Sequence, residues 1–254
     1  MLTEERYQII LNEINRKSLV HVSELVKKLD TSESTIRRDL NFLHKEGKLK
    51  KIHGGATALD KVIHTKDDLV STRESLNIDD KLKIAKYAAG LIEENDFVYI
   101  DAGTTTDLMI EFINEKEAVY VTNGINQAKK LISKGLRTYI LGGEIKSSTE
   151  AIIGVEAINA LKKYNFNKGF FGTNAISKDS GYTTPDINEA LVKKEALERT
   201  RESYVMADNS KFDEISCVTF GELEEAVIIT TAIEDNTYKE FTEIIEVAKK
   251  WFIQ

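Results

Sequence analysis

The stretch Asp101-Ala102-Gly103-Thr104-Thr105-Thr106-Asp107 follows a β-rich run and precedes a helical pattern. Gly103 lets backbone approach a ligand. Successive N–H groups and three hydroxyls at a helix N-terminus suit a phosphate. A plain capped turn accounts for one threonine and less easily for three. No Walker lysine follows and no GxGxxG is present, which argues against ATP and NAD. Other β-rich runs end in Thr122-Asn123-Gly124, Gly142-Gly143, Gly172-Thr173-Asn174 and Ala207-Asp208-Asn209-Ser210-Lys211. Each alone also reads as a tight turn, but their shared position favours a site, with Lys211 supplying an ammonium. Glu189 and Lys193, spaced i and i+4, are either a surface ion pair or ligand groups. Thr184-Pro185-Asp186 reads as a helix start, with a threonine cap and proline at the first helical position.

A second set of groups lies near the N-terminus. Ser32 can cap a helix over 33–46 that stops at Gly47. At 100° per residue, Ile36, Leu40 and Leu43 share one face. Ser34, Arg38, Asn41 and Lys45 share the opposite face, with Thr35 and Arg37 on the flanks. Arginine can pair with guanine edges, asparagine with adenine, and hydroxyls can hold phosphates. The plain alternative is a solvated polar face. The alternating segment Lys48–Ala56 then reads as a hairpin whose lysines, Lys50 and Lys51, would follow a phosphate backbone, with His53 at its tip.

These groups need elements to hold them. Residues 3–16 and Val22–Leu29 carry helical apolar spacing, so 3–46 predicts a helix, a short helix, a turn and a helix. Residues 57–78 have no clear apolar period and read as a partly ordered linker, followed by a helix from a capping Asp79 to about Glu93. Beyond residue 95, strands are expected at 97–100, 119–121, 138–141, 169–171, 204–206, 218–220 and 227–230. Helices are expected at 106–114, 125–134, 155–163, 186–201 and 237–249. This alternation predicts an α/β fold with a mainly parallel sheet and ligands outside the strands' carboxyl ends.

The chain has 254 residues, 41% hydrophobic and 30% charged. That is an ordinary globular mix, with no apolar run long enough for a membrane span and no signal-peptide pattern. The net charge of −7 is uneven. Residues 1–60 hold 11 Lys+Arg against 9 Asp+Glu, and the remainder 24 against 33. Such asymmetry suggests two parts with different partners. All four histidines precede residue 65, and no HExxH, CxxC or EF-hand pattern occurs, so neither metal nor cofactor is expected. Cys217, flanked by Ile215, Val218 and Phe220, reads as an inert core thiol.

The stretch SESTIRRDLNFLHKEGKLKKIHGGA (Ser32–Ala56) closely resembles the winged helix-turn-helix of DeoR-type bacterial repressors. By position, the resemblance implies that Ser34, Thr35, Arg37 and Arg38 face DNA. Ser32, Asn41, Lys45, Lys50, Lys51 and His53 complete the expected surface. Lys51 stands where the family often has arginine. Asp39 is expected to pair with a neighbouring arginine rather than face phosphate. DAGTTT, TNG, FFGTN, GYTTPD and ADNSKF resemble successive motifs of the family's effector domain. That domain in turn resembles ribose-5-phosphate isomerase and glucosamine-6-phosphate deaminase. The run Gly142–Gly154, with Lys146 and Glu150, and the GYTTPD loop look most like fructose-operon repressors, whose implied effector is fructose 1-phosphate.

Three parts are expected: a winged helix-turn-helix over 1–57, a linker over 58–78, and a sugar-phosphate-sensing α/β domain over 79–254. Phosphate would meet Thr104, Thr105, Thr106 and Lys211, with Asp101, Glu150, Asp186 and Glu189 toward sugar hydroxyls. Gly103, Thr122, Asn123, Gly142, Gly143, Lys146 and Gly172 would frame the site. The expected protein is a cytoplasmic, homo-oligomeric repressor that binds double-stranded operator DNA and is released by its ligand. The alternative is an isomerase or deaminase with Asp101 and Glu189 as acid and base. Against it, the acidic cluster of the isomerase relatives is missing after Gly172–Ala175. A DNA-binding domain joined to a purely structural oligomerisation domain is the third reading.

Overall fold

The computed structural model describes residues 3–17, 19–58, 63–65, 70–233 and 235–247. The chain divides into two compact units, Met1–Val62 and Ile63–Gln254.

The smaller unit runs α1 (Thr3–Lys17), β1 (Leu19–His21), α2 (Val22–Leu29), α3 (Glu33–Lys45), β2 (Lys50–Ile52) and β3 (Gly55–Thr57). Ile10, Ile14, Leu25, Ile36, Leu40 and Leu43 form its core at 0–1% exposure. Burying each stabilises by roughly 1.5–3 kcal/mol. Ser32 caps α3, its hydroxyl accepting from the Thr35 amide at 3.2 Å. Gly47, at φ 67°, reverses the chain after α3, and the Lys48 amide donates to the Leu43 carbonyl at 2.9 Å. The three strands form an antiparallel sheet in the order β1-β3-β2. The expected hairpin over 48–56 is therefore a β2–β3 wing, turned at Gly54.

The larger unit begins with β4 (Ile63–His64), α4 (Val70–Ser75) and α5 (Ile78–Ala89). It continues with β5 (Phe97–Ile100), α6 (Thr104–Phe112), β6 (Val119–Thr122), α7 (Ile125–Ser133), β7 (Arg137–Ile140), β8 (Glu144–Lys146), β9 (Ala151–Ile153) and α8 (Val155–Leu161). Then come β10 (Phe166–Gly172), β11 (Ala175–Ser177), β12 (Gly181–Thr184), α9 (Ile187–Glu198) and β13 (Thr200–Met206). The last strands are β14 (Ile215–Ser216), β15 (Val218–Gly221), β16 (Val227–Thr230) and β17 (Ile244–Glu246).

Seven strands form a wholly parallel sheet, ordered β17-β16-β13-β10-β5-β6-β7. Residues alternate across it. Val98 and Ile100 pack with Ile84, Met109 and Leu131 of α5, α6 and α7. Tyr99 packs on the other face with Leu161 and Ala196 of α8 and α9. The chain winds one way from β5 through β7 and the other way from β10 outward. The topological switch, where open parallel sheets bind ligands, therefore lies between β5 and β10. No helix among the described residues is long and apolar enough to cross a membrane.

Several expectations change. Within 57–78, β4 pairs in parallel with β14 and α4 is helical, so elements of this stretch belong to the larger unit. Asn77, not Asp79, stands at the N-cap of α5, in a left-handed conformation (φ 52°). Asp79 and Asp80 fill the first turn. Asp186 rather than Thr184 caps α9, accepting from the Glu189 amide, while the Thr184 hydroxyl donates to Asn174 at 3.0 Å. Val218–Gly221 joins a separate antiparallel sheet with β11 and β12. The helix expected over 237–249 is instead a short 3-10 turn, Asn236–Glu240, followed by β17; residues 248–254 lie outside the described residues. Ile244 and Ile245 extend the sheet, and their β-branched shape suits that role. Cys217 is exposed, not buried, because it sits between two short strands, and its thiol donates to the His64 carbonyl at 3.4 Å.

Candidate functional site

The polar face of α3 is exposed as its period requires. Ser34, Arg37, Arg38, Asn41 and Lys45 are exposed, as are Lys50, Lys51 and His53 of the wing. The Ser32 hydroxyl lies 2.9 Å from those of Ser34 and Thr35, which makes a three-hydroxyl cluster at the helix start. Arg37 donates twice to Glu33, at 2.8 and 2.6 Å. Arg38 has no such carboxylate among the described residues. Lys51 of β2 donates to the Asn41 side-chain oxygen at 2.6 Å. Asp39 is buried and accepts from Arg6 of α1 at 2.6 and 3.0 Å, so its arginine comes from another helix and not from α3. That hydrogen-bonded carboxylate raises the Arg6 pKa further above the ordinary arginine value.

In the larger unit, a cavity of about 70 Å³ opens at the switch point. Its walls come from the loop after β5 (Ala102–Thr105), the loop after β10 (Gly172–Asn174) and the segment after β13 (Ala207, Asp208, Ser210, Lys211). Glu189 and Lys193 of α9, Lys81 of α5, and Arg73, Leu76 and Asn77 complete it. Four cations thus face two carboxylates around the N-terminus of α6, whose first amides are not used within the helix. Lys81 is 4% exposed and donates to the Thr104 hydroxyl at 3.1 Å and to the Arg73 carbonyl. Burial pushes its pKa below the ordinary lysine value, against the pull of Asp208. Arg73 Nε is buried without a hydrogen-bond partner, which leaves a donor in the wall. Asp208 is oriented by Asn77 at 2.9 Å and by the Ser210 amide at 3.0 Å. A smaller recess of about 20 Å³ adjoins the cavity and shares Arg73, Gly103 and Thr104 with it. Among the described residues, no cluster of three or more metal-ligating side chains occurs.

Six of the sequence-predicted effector residues line this cavity: Gly103, Thr104, Thr105, Gly172, Glu189 and Lys211. The others do not. Thr106 is fully buried and donates to the Asp101 and Gly103 carbonyls, which fixes the loop. Asn123 braces the same loop by accepting from the Ala102 amide at 2.8 Å, and the Thr122 hydroxyl accepts from Gly124. Asp101 is buried in an ion pair with Lys193 and also accepts from the Gly172 amide at 3.0 Å. Gly142 and Gly143 are exposed before β8. Glu150 accepts from Asn126 at 2.7 Å. Lys146 bridges Asp186 at 3.3 Å and Glu189 at 3.2 Å. Although burial pushes the Asp186 carboxyl up, the Glu189 amide and Lys146 outweigh it and hold its pKa below the usual range.

Glu189 and Lys193 are both buried and pair with other residues, so they are not a surface ion pair. Sequence reading passed over Arg73 and Lys81. Lys81 had a signal: it falls on the same helical stripe as Ile84, Ala85 and Ala88, where an unpaired lysine is costly. Arg73 had none, because its stretch carries no apolar period.

Two family models match the chain: a DeoR-like helix-turn-helix domain over residues 6–62 and a DeoR C-terminal sensor domain over residues 76–232. The chain is 45% identical over 252 residues to an uncharacterised HTH-type transcriptional regulator, FruR, of Bacillus subtilis (strain 168); the match covers 98% of this chain and all of that one. It is 33% identical over 253 residues to a lactose phosphotransferase system repressor of Staphylococcus aureus (strain NCTC 8325 / PS 47), covering 97% of this chain and all of that one. Among solved structures, ribose 5-phosphate isomerase A of Methanocaldococcus jannaschii superposes on 54% of this chain and 55% of its own, with a TM-score of 0.40 and 16% identity. With both units matched in order, and with full-length relatives above 30% identity, the chain belongs to the DeoR family of helix-turn-helix transcriptional regulators.

Proposed function

We propose that this regulator represses a sugar-utilisation operon and leaves its operator when a phosphorylated sugar, fructose 1-phosphate, fills the cavity of the larger unit. One observation carries this reading: Arg73, Lys81, Lys193 and Lys211 surround the N-terminus of α6 at the switch point of the sheet. Lys193 is neutralised by Asp101, so Arg73, Lys81 and Lys211 leave an excess of one positive charge over Glu189 and Asp208, which suits the anionic head of a phosphate monoester. The phosphate sits on Thr104, Thr105, Lys81 and Lys211, and the sugar hydroxyls donate to Glu189 and Asp208. The resemblance of Gly142–Gly154 and of the GYTTPD loop to fructose-operon repressors supports the choice of sugar. The staphylococcal relative, a repressor by name, supports the sign of regulation.

The cavity binds rather than turns over its ligand. Asp101, the acid of an isomerase reading, is held by Lys193 and stays off the cavity wall. The DNA-facing groups are Arg38, Arg37, Asn41 and the hydroxyls of Ser32, Ser34 and Thr35. Lys45, Lys50, Lys51 and His53 lie toward the phosphate backbone. Operators of such proteins carry two half-sites, so the working species is a homo-oligomer. A ligand changes DNA affinity only by favouring one conformation. Arg73, Leu76 and Asn77 line the cavity and belong to the first elements of the larger unit, so ligand capture bears on the part of that unit nearest in sequence to the DNA-binding unit.

The test is fluorescence-anisotropy binding to the DNA upstream of its own operon at fixed salt. Release by fructose 1-phosphate, but not by fructose or phosphate, is expected. Thr105→Val should bind DNA normally and ignore the ligand. Normal induction of that variant would remove the α6 loop from the site, and sugar-phosphate turnover above background would restore the enzymatic alternative.

A further inference from the structure

Asparagine in a major groove ordinarily reads adenine, because its oxygen accepts from the N6 amino group while its amide donates to N7. In Asn41 that oxygen is already engaged by a cation. Lys51 reaches from the wing to α3 and donates to the Asn41 side-chain oxygen at 2.6 Å. An ammonium has no acceptor capacity, so the atom facing it must be the oxygen and not the nitrogen. The amide group of Asn41 then points away with both hydrogens available. Asn41 and Lys51 are both exposed, and Asn41 shares the outward face of α3 with Ser34, Arg38 and Lys45. Two neighbouring side chains of different elements therefore present their remaining N–H donors against a single unused lone pair, which sits beside the ammonium.

We infer that Lys51 and Asn41 act as one donor-rich unit that selects guanine over adenine at a single base pair of each half-site. Guanine offers two acceptors, O6 and N7, on its groove edge, whereas adenine places a donor beside its N7. Against adenine, the pair would meet the N6 amino group with another donor. The wing lysine is thus a specificity residue and not only a phosphate contact. The neighbouring arginines divide in the same way: Glu33 holds Arg37 through two hydrogen bonds, whereas Arg38 has no carboxylate partner among the described residues. This inference rests on the reading that the outward face of α3 enters the groove.

The experiment measures binding of the full-length chain to its operator and to every single base-pair substitution of one half-site, at one fixed salt concentration. Wild type, Lys51→Met, Asn41→Ala and the double variant are compared. Wild type is expected to prefer guanine over adenine at one pair by at least about fivefold, the lower end of what a paired base contact supplies. Lys51→Met frees the asparagine oxygen and should shift that same pair toward adenine. Asn41→Ala should flatten the preference there, and the double variant should add nothing further. Uniform weakening on all sequences, with the salt slope reduced by about one, would make Lys51 a phosphate contact and overturn the proposal. Relaxation at two different base pairs, or a wild-type preference for adenine, would overturn it too. Arg38→Ala in the same assay separates the two levels: retained operator specificity in that variant would fail the groove reading itself.

Discussion

The outward face of α3 draws its groups from thirteen consecutive residues, whereas the cavity gathers Arg73, Lys81, Thr104, Gly172, Glu189 and Lys211 from separate stretches of chain. The first surface is exposed, and an ion pair on it, Arg37 with Glu33, lies in water with side chains 50% and 61% exposed. The second is recessed, and one ion pair behind its wall, Lys193 with Asp101, has side chains 6% and 1% exposed. The same chemistry, a cation beside a carboxylate, one turn away on α3 and on a separate element in the cavity, therefore means different things in the two places. On α3 it tunes which groups are presented. In the cavity it is part of what holds the walls in position.

The largest expected effect breaks the buried pair. Lys193→Met leaves Asp101 buried without its cation, and its other oxygen already lacks a partner. The loss should be roughly 3 kcal/mol in denaturant unfolding of the larger unit. A change below about 0.5 kcal/mol would mean that water reaches Asp101 and that the contrast between the regions is overstated.

Next in size is Arg38→Ala. Specific operator affinity should fall roughly tenfold to hundredfold per half-site, with binding of fructose 1-phosphate unchanged. Calorimetry with the sugar phosphate alongside DNA anisotropy checks both arms, and a loss of ligand binding would show that the regions are not separable.

Lys81→Met is the reciprocal variant. It should weaken ligand binding about tenfold and leave DNA affinity intact. It also sharpens the comparison through pH. Burial lowers the Lys81 pKa from the ordinary 10.5, so the ammonium loses its proton earlier as pH rises. A phosphate favours the charged form. Above the second ionisation of the phosphate, about pH 6, wild-type ligand affinity is therefore full below the lowered lysine pKa and declines as pH rises through it, before the range of an exposed lysine. The methionine variant should lack that decline, and a pH series of ligand titrations reads it directly.

The smallest effect belongs to the exposed pair. Glu33→Gln should change stability by less than about 0.5 kcal/mol, since such pairs contribute little in water. Its readout is thermal unfolding of the full chain. A shift comparable with that of Lys193→Met would erase the distinction drawn above.

The smaller unit was nearly complete in the sequence because its determinants are local. Ile36, Leu40 and Leu43 repeat at the helical period, Ser32 caps the helix and Gly47 ends it, and each lies within a few residues of what it controls. Strand and helix alternation after residue 95 likewise announced the parallel sheet, since burial on both faces writes apolar runs into each strand. The β14–β4 pairing and β17 were not legible. Strands of two or three residues carry too short a pattern, and their partners lie far away in sequence.

The Asp101–Asp107 loop could be read from the sequence as a loop, because three threonines after Gly103 are a local chemical statement. Which of the strand-end groups meet was a matter for the tertiary structure. Asp101, Thr106 and Asn123 turn inward to brace the loop, while Lys81 and Arg73 arrive from the segment before the sheet. Side-chain direction at a strand end depends on neighbours supplied by other strands, and a lysine on an apolar stripe acquires its role only from what packs against that stripe. Sequence alone determined the period and the Ser32 cap of α3 and the resemblance to the family, while the caps of α5 and α9 came from Asn77 and Asp186 once the chain was folded. The order of strands around the β5–β10 switch decided which charges share one cavity, because only long-range packing brings residues 73, 81, 104, 189 and 211 within reach of one ligand.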